Sequence, residues 1–237
     1  MKGDSRMQVA QDIYLVAGPP YGIHPNAYVV RSGNSIVLID CGTDEEELQV
    51  IRSNIAYWGM ADCRVSALLL THAHFDHAGN AHAVKTAGVI TVAGPGDAEA
   101  IECGDYRTMP YCYGIPFIPC PVDIVATDGQ VLEFEGLRFD VIHVPGHSAG
   151  SLVYRLVMGG KTALFTGDTV FPGPDGKSAA LGFTGGYDFN KDNYIRSLEK
   201  LSRVQTDMVL GGHEQPCVRN GSRVVQLGLR TALAELR

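Results

Sequence analysis

The sequence predicts an α/β fold built from short strands and helices. Three observations support this prediction: the first forty residues are rich in short β-branched runs, helical spacing follows from residue 43, and a second strand-rich stretch begins near residue 130. The chain has 237 residues, 45% hydrophobic and 19% charged, which suffices for a substantial core. We therefore expect a single domain over residues 1–237.

The N-terminal part predicts strands followed by a helix. Apolar runs bounded by Gly, Pro and Asn predict strands at Ile13–Val16, Ala27–Arg31 and Ser35–Asp40. Thr43 with Glu46 three residues later has the form of a capping box. Leu48, Ile51 and Ile55 follow at helical spacing, so an amphipathic helix is expected after Thr43.

The middle of the chain predicts alternating strands and helices. The apolar run Val65–Leu70 predicts a strand buried on both faces, and it leads directly into the segment T-H-A-H-F-D-H at 71–77. Helices are expected at Ala81–Ala87 and Pro95–Cys103, with a strand at Val89–Val92. The His-rich segment is therefore expected at the carboxyl end of a buried strand.

The segment Gly104–Val122 has no clear period and is rich in Pro, Gly and Tyr, which predicts a loop that overhangs the site. Strands are expected again at Gln130–Glu133, Arg138–His143, Ser151–Val157 and Thr162–Thr166. A helix at Asn190–Val204, a strand at Met208–Leu210 and a helix from about Ser222 complete the prediction.

The composition limits the classes of partner. The formal net charge is −7, and no run of Lys or Arg is long enough to follow a phosphate backbone, which disfavours nucleic-acid binding. No apolar stretch approaches the ~20 residues that a membrane span needs, and the N-terminus lacks the apolar core of a secretory signal. We expect a cytoplasmic protein without a membrane partner, and the sequence leaves its oligomeric state open.

The cysteines do not form a recognisable framework. None of the six is in C-x-x-C spacing, so neither a zinc ribbon nor a disulfide scaffold is indicated. We expect free thiols in a reducing compartment, with pairing among Cys103, Cys112 and Cys120 left open.

Metal-binding side chains crowd the segment after Val65–Leu70. In an extended turn His72 and His74 would face one side, while Asp76 and His77 could face a second centre. Imidazole and carboxylate groups suit zinc, manganese or iron(II), and the absence of nearby Cys disfavours a closed structural zinc site. The pattern therefore predicts a catalytic site with an open coordination position.

Three further side chains follow predicted strands and glycines in the same way. These are His147 in V-P-G-H-S, Asp168 in F-T-G-D-T and His213 in G-G-H-E. The alternative, in which the three histidines at 72–77 merely decorate a polar turn, is disfavoured by the apolar strand before them and by the scarcity of His elsewhere. We therefore interpret all seven side chains as candidate ligands.

Taken in order, T-H-A-H-F-D-H-A-G, V-P-G-H-S-A-G, F-T-G-D-T and G-G-H-E resemble the motifs of the metallo-β-lactamase-fold superfamily. The resemblance extends over nearly the whole chain, including L-I-D-C-G at 38–42. It implies a four-layered αββα sandwich with a site along one edge and two divalent ions, zinc first, with manganese or iron as alternatives. It implies one ion at His72, His74 and His147, a second at Asp76, His77 and His213, and Asp168 bound to both.

Other residues have weaker signals. Asp40 matches a family acid that would orient the His-rich segment, and simple strand termination is an equal alternative. His24, His82 and His143 are expected to have no ligand role. Three tyrosines of the 104–122 loop could contact substrate, although such residues mostly pack: Tyr106, Tyr111 and Tyr113.

Two divalent ions would lower the pKa of a bridging water to near neutrality, and the resulting hydroxide could attack a carbonyl or phosphoryl centre. Asp76 could bind an ion and also accept the proton of that water. The leading expectation is hydrolysis of a small-molecule carboxyl ester, lactone or thioester.

Branches of the family differ in ways that bear on the substrate. Glyoxalase-II-like thioesterases resemble this chain at F-T-G-D-T-V-F. Only 24 residues follow His213, so we do not expect the helical extension that contacts glutathione there, and glutathione thioesters are disfavoured. Acyl-homoserine lactonases resemble it at H-A-H-F-D-H-A-G, but their tyrosine near the bridging aspartate is Phe171 here. Asp168 disfavours a β-lactamase, which remains an alternative, as does an iron-dependent oxidoreductase or persulfide dioxygenase. A metal-binding sensor without turnover is a further alternative that the complete ligand set disfavours.

Overall fold

The computed structural model describes residues 6–85, 88–175 and 177–236. The strands are β1 Met7–Ala10, β2 Ile13–Ala17, β3 Ala27–Ser32, β4 Ser35–Ile39, β5 Arg64–Leu69, β6 Ile90–Ala93, β7 Ile124–Val125, β8 Val131–Phe134, β9 Leu137–His143, β10 Leu152–Met158, β11 Lys161–Gly167, β12 Phe171–Pro172, β13 Ala179–Ala180 and β14 Met208–Gly211. The helices are α1 Glu45–Tyr57, α2 Phe75–Ala78, α3 Ala81–Val84, α4 Asp97–Cys103, α5 Lys191–Leu201 and α6 Gly221–Glu235.

The first sheet contains seven strands in the order β1 to β7. Strands β1 to β4 form antiparallel hairpins, whereas β4 to β7 pair in parallel through the intervening helices. Side chains of β4 alternate between the faces: Ile36 and Leu38 pack on the helix side, and Val37 and Ile39 on the other. Both faces of the sheet are therefore covered.

The second sheet has the order β14-β11-β10-β9-β8. Its strands pair antiparallel except β11 and β14, which are parallel. On β11, Ala163 and Phe165 face the first sheet, whereas Leu164 packs with residues of α5 and α6. Strands β12 and β13 form a separate two-stranded ribbon.

Three buried apolar clusters separate four layers. One lies between α1 and the first sheet, one between the two sheets, and one between the second sheet and the helices α5 and α6. Representative members, in that order, are Ile51 with Leu68, Val37 with Phe139, and Val209 with Leu198. The expected αββα sandwich is confirmed.

Most elements begin and end within two residues of the prediction, but the start of α1 was predicted wrongly. The N-cap is Asp44, whose Oδ1 accepts the Glu47 N–H at 3.0 Å, and the Glu47 carboxylate accepts the Thr43 N–H at 2.7 Å. Thr43 therefore precedes the cap. The helix expected at Ala81–Ala87 ends at Val84, and residues 86 and 87 lie outside the described residues.

The segment Gly104–Val122 is a loop, as expected, with two single 3-10 turns at Tyr106–Thr108 and Pro110–Cys112. Phe117 and Cys120 of this loop are buried in the cluster next to the first sheet, so the second half of the loop is packed against the core. All six cysteines are free thiols. In the described part of the chain no helix is long and apolar enough to cross a membrane.

Candidate metal centre

The seven predicted ligands converge at one edge of the sandwich, where strands of both sheets end. The His-rich segment follows β5, Asp168 follows β11 and His213 follows β14, while His147 lies in the turn between β9 and β10. Carboxyl ends of neighbouring parallel strands open onto a common crevice, which places these loops together.

His72, His74 and His147 form a first group with ligand atoms within 4.8 Å of one another. All three side chains are buried. The Nε2 atoms of His72 and His147 are 3.2 Å apart. Two nitrogens bound to one tetrahedral zinc ion at 2.0–2.1 Å would be about 3.3 Å apart, so this spacing fits a shared ion.

Asp76, His77 and His213 form a second group of the same kind. The Nε2 atoms of His77 and His213 lie 3.4 Å apart, and Asp76 Oδ2 is 3.5 Å from the first and 3.4 Å from the second. This spacing also fits a single cation between the three donors.

Asp168 faces both groups. Its Oδ1 lies 3.4 Å from His77 Nε2, while its Oδ2 lies 3.3 Å from His213 Nε2 and 3.6 Å from His147 Nε2. Gly212 packs closely against this carboxylate: a Cβ added at Gly212 would lie only 2.3 Å from Asp168 Oδ1. The carboxylate is therefore placed to contact ions in both groups.

The His-rich segment is more compact than the extended turn we expected. Phe75–Ala78 forms one helical turn, in which the His77 N–H donates to the His74 carbonyl at 3.0 Å. This turn brings the His77 ring to 4.3 Å from the His72 ring, measured between centroids. The two groups are therefore adjacent, and His72 also lies within ligand distance of His77 and Asp168.

Asp40 makes the orienting hydrogen bonds expected of it. It follows β4 in the left-handed region, at φ 56°. Its carboxylate accepts the N–H and the hydroxyl of Thr71, both at 2.8 Å, and lies 2.9 Å from His77 Nδ1. The His77 ring is thereby fixed with Nε2 toward the second group.

Other imidazoles are oriented in the same manner. In each, Nδ1 contacts an oxygen of the surrounding chain and Nε2 faces the centre. The contacts are His72 with Thr71 Oγ1 at 3.0 Å, His147 with the Phe183 carbonyl at 3.1 Å, and His213 with the His24 carbonyl at 3.2 Å.

Electrostatics distinguish the two groups. Burial lowers the pKa of His74 to about 4 and that of His147 to about 3, and it lowers the pKa of His72 well below its usual value. These rings are therefore neutral near pH 7, which is the state that binds a metal.

In the second group, carboxylates outweigh burial. Burial lowers the pKa of His213, but the Asp168 charge and hydrogen bonds to Asp168 and Asp76 raise it to about 10. The Asp76 pKa, which burial alone would raise, falls to about 2 because His77 and His213 face it. This group therefore attracts positive charge strongly.

Unpartnered buried atoms support a cation at this place. Within the described residues, His74 Nε2 and Asp168 Oδ1 are buried without a hydrogen-bond partner. A buried polar atom without a partner is costly, and metal coordination would satisfy both. The donor set of imidazoles and carboxylates fits divalent zinc, manganese or iron.

A cavity of about 460 Å³ opens above the two groups. Its floor contains His74, Asp76, His147, Asp168 and His213. Its walls include Met109, Cys112 and Tyr113 from the 104–122 loop, with Phe171 and Phe183 from the segment after Asp168. The loop therefore overhangs the site as expected, with Tyr113 in this lining, whereas Tyr106 and Tyr111 lie outside it.

Two residues near the centre were missed. His24 was expected to be ordinary, but its ring lies 4.6 Å from the His213 ring and lines the cavity. Asp97 was not singled out, although it follows β6 and the glycines of G-P-G-D, the context that marked the ligands. His82 and His143 hydrogen-bond to the Gly79 and Ala149 carbonyls, respectively.

Asp97 is fully buried and accepts three hydrogen bonds, from the Ala73 N–H, the Ser148 hydroxyl and the Gly150 N–H. Burial raises its pKa to about 7, an effect that these hydrogen bonds oppose and the nearby Asp188 charge reinforces. Its partners lie on the segments that carry His72, His74 and His147.

Comparison with known proteins gives one family. The family model described as the metallo-beta-lactamase superfamily matches residues 20–213. An uncharacterized protein of Mycobacterium tuberculosis is 30% identical over 213 residues, which are 84% of this chain and 90% of that protein. A hydroxyacylglutathione hydrolase, GloC, of Haemophilus influenzae is 28% identical over 159 residues, covering 64% of this chain and 70% of the relative.

A further relative, the atrochrysone carboxyl ACP thioesterase of Aspergillus fumigatus, is 28% identical over 79% of this chain and 50% of that protein. Among solved structures, a metallo-beta-lactamase of Cronobacter sakazakii has a TM-score of 0.77 at 22% identity, covering 98% of this chain and 92% of that one. A subclass B3 metallo-beta-lactamase of Bradyrhizobium japonicum has a TM-score of 0.76 at 21% identity, with coverages of 98% and 96%. At this identity the structures establish the fold alone.

Proposed function

Because this chain belongs to the metallo-beta-lactamase superfamily, we propose that it is a metal-dependent hydrolase with two divalent ions at the edge of its sandwich. The ligands of the first ion are His72, His74 and His147, those of the second are Asp76, His77 and His213, and Asp168 binds both. We assign one domain to the chain and zinc to the site, with manganese or iron as the other candidates.

The observation that carries the proposal is the pairing of two three-residue groups across one carboxylate. Each group has ligand atoms within 4.8 Å of one another, and Asp168 lies within 3.6 Å of imidazoles from both. A mononuclear site would leave one group of buried donors without a cation. The geometry therefore favours two ions over the single iron of a dioxygenase.

Bound there, divalent ions would supply Lewis acidity and a hydroxide nucleophile at neutral pH. Asp76 stays ionised, since the pKa of its carboxyl is about 2, so it can accept the proton of an attacking water. Tyr113 offers a hydroxyl beside Asp76 that can donate to a substrate oxygen. Apolar side chains of the wall lie beside these groups.

The cavity walls indicate the substrate class. Met109, Tyr113, Phe171 and Phe183 present apolar surface beside the polar floor, which suits an acyl group held against a reacting carbonyl. The relatives named hydroxyacylglutathione hydrolase and thioesterase support a carbonyl electrophile. We propose a small-molecule carboxyl ester, lactone or thioester as the substrate.

The first test is metal content per chain, measured together with hydrolysis of lactones, thioesters, aryl esters and a β-lactam. We expect two equivalents of metal and turnover of one carbonyl class, abolished by a chelator. One equivalent of iron without hydrolysis would instead indicate the oxygenase alternative, and bound metal without any turnover would indicate a sensor.

Two variants test the residue assignments. Asp76→Ala should remove turnover while keeping the fold. Asp40→Ala should reduce metal affinity by a smaller factor than loss of a ligand would, because Asp40 acts through Thr71 and His77. The exposed Asp62→Ala is the matched control and should behave as the wild type. Full activity in Asp76→Ala would contradict the mechanism.

A further inference from the structure

Asp97 connects the two chain segments that carry the first group, His72, His74 and His147. It stands in the first turn of α4 with 1% of its surface exposed. Its Oδ2 accepts the Ala73 N–H at 2.8 Å and the Ser148 hydroxyl at 2.7 Å. Its Oδ1 accepts the Gly150 N–H at 2.6 Å. One carboxylate therefore bridges the segment after β5 and the turn after β9.

The positions of these partners relate Asp97 to the imidazoles. Ala73 stands between His72 and His74, and Ser148 directly follows His147. The separation of the two segments sets the distance between His72 Nε2 and His147 Nε2, which is 3.2 Å. A change in the contacts of Asp97 would therefore alter the spacing of the first group before any ligand itself is changed.

Close packing leaves no room for another bridge. A Cβ added at Gly150 would lie 2.6 Å from the Asp97 carboxylate, and one added at Gly94 would lie 1.9 Å from the Gly150 carbonyl oxygen. Three donors converge on the two oxygens of Asp97, an arrangement that suits a group with acceptors at both positions.

The second group has a different support. Asp40 holds Thr71 and faces His77 Nδ1, and within the described residues its side chain makes no hydrogen bond to the His147 turn. Asp97 contacts neither His77 nor His213 through hydrogen bonds in the described residues. Asp40 also reaches the first group indirectly, because the Thr71 hydroxyl that it holds lies 3.0 Å from His72 Nδ1. The hydrogen bonds of Asp97, in contrast, go only to the segments of the first group.

We propose that Asp97 is a positioning residue that holds the geometry of the first ion site and has no part in holding the second. This inference rests on the proposed two-ion function. It predicts a selective effect: loss of the Asp97 carboxylate should weaken binding of one ion and spare the other.

Asp97→Asn is the most direct variant, because it keeps the size of the side chain. All three partners of Asp97 present hydrogen atoms, and an amide group can accept at one of its two positions only. In either orientation the NH₂ group faces the Gly150 N–H or the Ala73 N–H. The variant therefore loses either the Ala73 contact or the Gly150 contact, and the bridge between the two segments is weakened.

Asp123→Asn is the matched control. Asp123 is likewise a carboxylate beside the first sheet, accepting the Thr91 N–H at 2.7 Å and pairing with Lys85. It contacts no segment that carries a ligand. Because Asp123 is exposed and Asp97 is buried, this variant controls for the loss of one negative charge beside the sheet.

The experiment is a titration of metal-free protein with zinc by calorimetry and with cobalt(II) by absorption spectroscopy. His147→Ala and His213→Ala provide reference spectra for loss of the first and the second site. We expect Asp97→Asn to weaken one binding step by about 10- to 100-fold and to lose the cobalt bands missing in His147→Ala. Asp123→Asn should bind both ions as the wild type does.

Unchanged affinities and spectra in Asp97→Asn would overturn the inference, as would equal weakening of both steps. Ser148→Ala removes one of the three donors and should shift the same step less, which keeps the test informative if Asp97→Asn does not fold. A wild-type chain that binds only one ion contradicts the two-ion proposal. In that case the role of Asp97 is supported if Asp97→Asn lowers the affinity for that ion and excluded if it does not. A wild type that binds none overturns both.

Discussion

Tyr113 brings a hydroxyl to the wall of the cavity from the 104–122 loop. Its ring stacks on Phe75 with centroids 5.2 Å apart, and Phe75 immediately precedes Asp76. Burial, followed by the Asp76 charge, raises the pKa of Tyr113 above its ordinary value, so the group remains a hydrogen-bond donor at neutral pH. At Phe171, across the cavity, the side chain has no such donor.

Tyr113→Phe should therefore lower kcat while leaving metal content unchanged. We expect a loss of roughly 100-fold, the lower end of the range for one preorganised donor. Tyr111→Phe, in the same loop but outside the cavity lining, is the control and should keep full activity. Wild-type kcat in Tyr113→Phe would exclude the hydroxyl from the reaction.

Asp97 should also affect the pH dependence of stability. Its pKa is about 7 in the folded chain, against an ordinary value of 3.8. Between these values the folded state holds a proton that the unfolded state has released, so raising the pH favours unfolding. The stability that this proton gives is complete below about pH 4 and is lost as the pH rises through about 7.

This effect is measured as the free energy of unfolding of metal-free protein from pH 4 to pH 8. Relative to Asp97→Asn, the wild type should lose stability across that interval, because the imidazoles titrate in both proteins and cancel in the comparison. Parallel curves for the two proteins would contradict the raised pKa.

For single residues, a local sequence pattern identifies a candidate ligand more readily than a residue that supports the ligands. Asp168 and His213 stand after a strand and a glycine, a pattern visible locally. The role of Asp97 depends on Ser148 and Gly150, which are 51 and 53 residues away, and the contact of His24 with His213 spans 189 residues. Such partners are determined by packing of the layers, which no local pattern contains.

Among the elements, the 104–122 loop and the segment after Asp168 form the apolar wall of the cavity. Met109 is buried in the left-handed region at φ 57°, and Phe183 is 62% exposed at the rim. Neither segment contributes a ligand to the two groups. The wall can therefore change without altering the donors.

The double variant Met109→Ala, Phe183→Ala should shift preference toward longer acyl groups, because it enlarges the wall side of the cavity. The measurement is kcat/KM over a series of acyl lengths, with metal content as the reference. Ile118→Ala changes an exposed residue of the same loop outside this cavity and should leave the profile unchanged. The same profile in the double variant would exclude these residues as the acyl wall.

Long elements were predicted well because their burial repeats along the chain. The last residues of β5 are buried on both faces, with Leu68 on one side and Ala67 and Leu69 on the other, as its largely apolar sequence indicates. The single turn α2 and the two-residue strands β12 and β13 were not foreseen, since they are too short to show a period. The cap of α1 was wrong by one residue because Thr43 and Asp44 are both good capping residues.

For the whole molecule, the cluster between the sheets joins the two halves of the site. Phe139 on β9 lies fully buried in it, together with Leu69 of β5 and Phe165 of β11. The ligand segments begin at the ends of these same strands. Stability of this cluster and integrity of the centre are therefore linked.

Phe139→Ala should destabilise the chain by about 3–5 kcal/mol, the usual cost of a cavity left by a buried aromatic ring. Denaturant unfolding with zinc bound provides the measurement, and metal release should accompany the unfolding transition. Val157→Ala, at an exposed position of β10, should change the free energy of unfolding by less than about 0.5 kcal/mol. Metal release well before unfolding in Phe139→Ala would argue against the linkage.

The cavity wall and the proposed ion-binding floor come from different stretches of chain. Substitutions in the wall can therefore change which substrates fit while the proposed ligands stay the same. A duplicated gene would therefore need few substitutions to encode an enzyme with a new substrate. Laboratory selection for a new substrate should find its substitutions mostly in the 104–122 loop and in the segment after Asp168 that contains Phe171 and Phe183.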